Sequence, residues 1–125
     1  MRKMFIGLLI ILIIGVILFY TLDIKTIIMK NIYPKKYENF VEEYSKKYEV
    51  DPFIIYSIIK IESNFNEKAR SKANAKGLMQ LIDTTAIELY IKLGKGNIDL
   101  EQLYEPSISI ELGTYYFSTI LDKYR

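Results

Sequence analysis

Apolar and polar positions change their pattern twice along the chain. From Met4 to Leu22, 19 residues pass without a charge, and at about 1.5 Å per residue such a helix nearly spans a hydrocarbon core of about 30 Å. The run predicts a transmembrane helix. Met1-Arg2-Lys3 would also suit the start of a cleaved signal peptide, but Phe19-Tyr20-Thr21-Leu22-Asp23 contains no A-x-A-like site, which favours an uncleaved anchor. Residues 23–36 read as a juxtamembrane connector. Its Lys25, Lys30, Lys35 and Lys36 offset Arg2 and Lys3, so charge alone does not orient the segment.

Beyond the connector the period is helical. Phe40, Val41, Tyr44 and Tyr48 recur at helical spacing, predicting a helix over 37–48. Asp51-Pro52 supplies an N-cap followed by Pro at the first helical position, the start signal for a second helix through Ser63. Asn64 to Lys76 mixes Asn, Ser, Ala and charges without a period and predicts a loop leading to Gly77. Asp83-Thr84-Thr85 offers a cap for a third helix ending near Gly94, and Glu105-Pro106 opens a fourth through about Tyr124. Neither strand alternation nor an internal repeat interrupts this. The predicted fold class is all-α: an anchor over 4–22, a connector over 23–36 and one helical domain over 37–125.

Composition narrows the chemistry. The chain has no His and no Cys, which removes the usual zinc sites, Cys/His peptidases, Ser-His-Asp hydrolases and disulfide scaffolds. Carboxylates, hydroxyls, amides and Lys remain, and neither metal nor cofactor is expected. The formal charge of +2 comes from Arg2 and Lys3, since the rest of the chain balances 15 basic against 15 acidic residues. That balance speaks against a nucleic-acid partner. The 11 Tyr suit sugar stacking and helix packing alike.

One carboxylate stands out. With Ile54 set at zero and about 100° per residue, Ile58 falls near about 40°, Ile55 about 100°, Ile59 about 140° and Ile61 about 340°. Glu62 falls at about 80°, inside this apolar stripe, while Tyr56 and Lys60 point away. Aliphatic neighbours would partly desolvate the carboxylate and disfavour its charged form, which suits a general acid. The plainer alternative is that Glu62, near the helix end, leans out to water.

Glu62-Ser63 is followed eighteen residues after the Glu by Gln80, which closes the run Gly77-Leu78-Met79-Gln80, and Val50-Asp51-Pro52 precedes the helix. Over about residues 37–124 this resembles the lytic transglycosylase family with the soluble-transglycosylase-type, lysozyme-like domain. The resemblance implies a lysozyme-like helical fold and peptidoglycan glycan strands as substrate. It implies Glu62 as the catalytic residue. The Glu would protonate the glycosidic oxygen between N-acetylmuramic acid and N-acetylglucosamine, then take the proton from the muramoyl C6 hydroxyl as that oxygen attacks C1, leaving a 1,6-anhydro end. The substrate's own acetamide would stabilise the intermediate, so no second protein carboxylate is needed, unlike the usual pair in glycoside hydrolysis.

The substrate-binding set carried by the same resemblance is Ser63, Ser71, Gly77, Met79 and Gln80. Gln80 would hydrogen-bond the sugar and Ser71 orient the acetamide. Gly77 is a backbone position that approaches the sugar or turns tightly, with Leu78 and Met79 as floor and core. Asp83 reads as a helix N-cap rather than a second carboxylate. Implied partners are the glycan strands, the lipid bilayer through residues 4–22 and other proteins of the cell-wall machinery. The expected location is the cell membrane, single-pass, with the helical domain on the extracytoplasmic side.

The pattern departs from the family in two places. Ser109, within Glu105-Pro106-Ser107-Ile108-Ser109-Ile110-Glu111-Leu112-Gly113, stands where the family has Asn. The sequence stops at Arg125, ahead of the family's A-Y-N-A-G segment and later Tyr, which implies a partial, C-terminally truncated domain with half a cleft wall. On that basis Ile54, Ile55, Ile58 and Ile59 should be less buried than in a full domain, Glu62 less desolvated, and cleavage weak. The alternative function is a non-catalytic remnant acting as a glycan-binding or protein-interaction module at the membrane. A third reading is a small single-pass protein sharing the motif by chance.

Overall fold

The computed structural model describes the backbone of residues 2–21, 27 and 35–125, with side chains for 5–18, 27 and 35–125. The chain divides into two compact units, Met1–Pro34 and Lys35–Arg125. In the first, α1 runs over Arg2–Thr21. It exposes apolar side chains on every side, Phe5, Leu8, Leu9, Ile11 and Leu12 among them. Phe5 to Leu18 is 14 residues, about 21 Å of helix against about 30 Å of hydrocarbon. Among the described residues no helix is long and apolar enough to cross a membrane. The expected connector over 23–36 lies outside the described residues except for Ile27, Lys35 and Lys36.

The second unit is helical. Its first helix, α2, spans Glu38–Tyr48 and buries Val41 and Tyr44; Glu38 in its first turn and Lys46 and Lys47 in its last complement the helix dipole. Ser45 ties it to the next helix, since its hydroxyl donates to Val50 O at 2.6 Å. In α3, Pro52–Ser63, Asp51 accepts from the Phe53 N–H at 2.8 Å and Pro52 opens the helix, as the cap signal predicts. Asn64 ends it at φ 50°, its N–H returning to Lys60 O. After a long loop come α4 over Asp83–Lys92 and a 3₁₀ turn over Leu100–Tyr104. The last helix is α5, Pro106–Tyr124. It is the centre of the unit: six consecutive residues, Ser109 to Thr114, are buried, and α2, α4 and the 3₁₀ turn all pack on it.

Three expectations are corrected. Asp83 does not cap α4; Ile82 holds the cap position with no side-chain bond, and Asp83 is the first helical residue, its carboxylate drawn instead to Lys76 and Asn74. A nearby buried cation outcompetes the local N–H groups for that carboxylate. Tyr56, assigned to the polar side of α3, is buried and packs against Phe65 with ring centroids 6.4 Å apart. Ile55 and Ile59 are fully buried rather than loosened, and Ile54 and Ile58 are half-buried. The stretch between α4 and α5, left unassigned by periodicity, contains the 3₁₀ turn, capped by Asp99, which accepts from Glu101 N–H at 3.1 Å.

Candidate functional site

The burial of Tyr56 moves the buried face of α3. With Ile55, Tyr56 and Ile59 inside, its centre lies at about 150° on the angular scale used above, and Glu62 falls about 70° from it. Glu62 is nonetheless exposed, in the last turn of the helix beside an Ile61 that is 81% exposed. No hydrogen bond or ion pair engages its carboxylate among the described residues. The desolvation anticipated for it is absent; the side chain leans out to water. Ser63, half-buried, spends its hydroxyl on Ile59 O at 3.1 Å.

From Ser63 the chain proceeds by tight steps. Asn66 N–H reaches Ser63 O at 3.0 Å and Ala69 N–H reaches Asn66 O at 3.1 Å, while Tyr37 donates to Glu67 at 2.7 Å and pins the segment to the start of the unit. Ala69 O then receives both the Gly77 N–H at 2.9 Å and the Gln80 Nε2 at 3.1 Å. A second bond runs from Gln80 Nε2 to Gly77 O at 2.9 Å. Gln80, half-buried and at φ 51°, thus uses its amide nitrogen on the loop itself. Its Oε1 is left to accept from outside.

Ser71 is exposed and closes a small turn: its Oγ accepts from Ala75 N–H and its own N–H donates to Ala75 O, each at 3.0 Å. Gly77 turns tightly, as one of its two readings has it, but against protein. At φ 77°, a Cβ there would sit 2.0 Å from Leu103 O. Met79 is buried, with its side chain against Gly113 and its N–H donating to Ser109 Oγ at 3.1 Å. That burial agrees with the expectation of Met79 as floor and core. Ser71 and Gln80 share one loop whose chain path leads back to Ser63, and no hydrogen bond joins Glu62 to either.

Two features escaped the sequence reading. Ser109 is the peg that holds the Met79 amide from α5. Glu111 is a carboxylate only 3% exposed, accepting from Lys47 at 2.9 Å, from Tyr48 at 3.0 Å and from Lys95. Burial pushes its carboxyl up, but Lys95, Lys47 and Tyr48 outweigh that and hold it below the usual carboxylate range. Tyr48 is pushed up to about 12, by its own burial first and the Glu111 carboxylate second. A Glu between Ile110 and Leu112 was the available signal. The cluster fastens α2 and the segment after α4 to α5.

The family described as Transglycosylase SLT domain matches residues 39–125. A protein of Haemophilus ducreyi named membrane-bound lytic murein transglycosylase C is 36% identical over 92 residues, 72% of this chain and 25% of that one. One of Buchnera aphidicola named membrane-bound lytic murein transglycosylase E is 37% identical over 92 residues, 72% of this chain and 42% of that one. The chain therefore spans less than half the length of these relatives. Among solved structures, an inactive glutamate-to-glutamine mutant of lytic transglycosylase Slt from Pseudomonas aeruginosa is similar at TM-score 0.71 and 29% identity, over 77% of this chain and 16% of that one. The 70 kDa soluble lytic transglycosylase of Escherichia coli is similar at TM-score 0.69 and 27% identity, over 74% of this chain and 15% of that one.

Proposed function

Because the chain belongs to the transglycosylase SLT domain family, we propose that it is a membrane-anchored peptidoglycan lytic transglycosylase with Glu62 as its catalytic residue. The observation that carries this is the position of Glu62 at the end of α3 with its carboxylate uncommitted to any protein partner among the described residues, followed by a loop whose Gln80 keeps Oε1 available. Glu62 protonates the glycosidic oxygen between N-acetylmuramic acid and N-acetylglucosamine, and the bond to C1 breaks. As carboxylate it then removes the proton from the C6 hydroxyl while that oxygen bonds C1, giving the 1,6-anhydro end and returning Glu62 to its acid form. Water competes at an open site, so the solvation of Glu62 makes the cleavage slow until bound glycan covers it. The uncharged run Met4–Leu22 is the anchor, crossing once, and residues 37–125 form the domain that meets the wall outside the cytoplasm.

The lack of aliphatic cover over Glu62, which would have favoured its acid form, leaves one second reading, a glycan-binding or protein-interaction module at the membrane without catalysis. Full-length chain in detergent, incubated with purified murein sacculi beside Glu62→Gln, separates the two. An enzyme loses at least about 100-fold in cleavage rate on the substitution, the scale of a general acid, while sacculus binding persists. A module binds in both forms and cleaves in neither.

A further inference from the structure

Lys76 is 5% exposed, an unusual position for a cation unless it is paired. Its ammonium meets the Asp83 carboxylate. The other Asp83 oxygen accepts from Asn74 Nδ2 at 3.1 Å, and Asn74 Oδ1 accepts from Arg70 Nε at 2.8 Å. Backbone bonds run alongside: Lys76 N–H to Leu81 O at 3.0 Å and Leu81 N–H to Lys76 O at 3.2 Å. Gly77, Leu78, Met79 and Gln80 are therefore enclosed between one closed backbone pair, with the ion pair just behind it. Within that turn Gln80 holds φ 51°, a conformation uncommon for a residue with a side chain and kept only where the surroundings over-determine it. The serine peg at Met79 fixes one side of the turn. The Lys76–Asp83 pair fixes its base.

We propose that Lys76 and Asp83 are positioning residues whose ion pair, buried on the Lys76 side, holds the turn 77–80 closed and keeps Gln80 in the orientation that presents Oε1 to a glycan hydroxyl or acetamide N–H. What Gln80 meets rests on the glycan reading above; the clamp itself does not. Neither residue touches substrate. Without the pair, Gln80 relaxes out of the left-handed region and its bonds to Ala69 O and Gly77 O are lost.

The test uses the full chain in detergent micelles, with Lys76→Met keeping the buried stem and Asp83→Asn keeping size and a carbonyl for Asn74. In the parent, the two Gln80 side-chain amide protons resonate away from free glutamine because both neighbouring carbonyls bond Nε2. In each variant they should move to the free-glutamine position, while the Leu112 and Thr114 backbone amides of α5 stay in place. On a soluble N-acetylglucosamine–N-acetylmuramic acid tetrasaccharide, KM should rise about tenfold, the scale of one hydrogen bond, with kcat within about twofold. Loss of folded protein would instead lower kcat at unchanged KM. Unmoved Gln80 signals, signals that move only together with those of α5, or an unchanged KM overturns the proposal. A parent that neither cleaves nor binds the tetrasaccharide defeats the functional reading, and the Gln80 signals then decide the clamp alone. Should Lys76→Met fail to fold, Asp83→Asn carries the same measurements.

Discussion

At Gly77 a single hydrogen atom permits the contact between the loop that carries Gln80 and the 3₁₀ turn. Any Cβ would have to occupy space 2.0 Å from Leu103 O, at φ 77°. Gly77→Ala should cost about 3 kcal/mol, the sum of a left-handed penalty and overpacking against backbone, read as a fall in the chemical-denaturation midpoint. Glu111 makes a pH prediction. Its folded carboxyl is held below its ordinary value of 4.5, so its stabilising contribution is present above about 4.5 and is lost as pH falls through the lower folded value. Glu111→Gln should lower stability by about 2 kcal/mol at neutral pH, since Lys47 and Lys95 can regain water. As pH falls through that lower folded value the gap between the two proteins should shrink, as thermal melts across pH would record. Glu62 shows what a helical wheel can misjudge. The wheel placed Tyr56 outside and Glu62 inside, whereas the phenol ring packs inward on Phe65 and Glu62, in the last turn of α3, faces water where the packing ends.

Helix positions were legible because their punctuation acts locally. Asp51-Pro52 starts α3 through a bond two residues along the chain, and Asp51→Ala should cost about 1 kcal/mol in thermal stability. Glu105-Pro106 starts α5 with Pro in the first turn and no side-chain cap bond. Elements whose geometry is set from a distance were not legible. The 3₁₀ turn at Leu100–Tyr104 is too short to show a period. Lys76 and Asp83 are seven residues apart, and only the folded loop brings them together. The role of Ser109 depends on the backbone N–H of Met79, thirty residues away. In the candidate loop, Leu78 and Met79 were expected as floor and core and are buried, whereas nothing in the sequence indicated that Ser71 lies outside.

For the molecule as a whole, the proposed reading divides the labour between two segments: the apolar N-terminal run is the anchor, and the helical SLT domain is the part that meets the glycan. A chain lacking residues 1–22 should move from the membrane pellet to the supernatant on cell fractionation, and a pelleted remainder would contradict the proposed anchor. The central claim is chemical, that Glu62 breaks the glycan by moving one proton out and one proton in, without water. Mass spectrometry of the sugar ends released from murein sacculi by the full-length chain tests it most directly. The account predicts slow release of 1,6-anhydromuramoyl ends, lighter by one water than hydrolysed ends, and none from Glu62→Gln. Hydrolysed ends, or the same anhydro ends from both proteins, would contradict it.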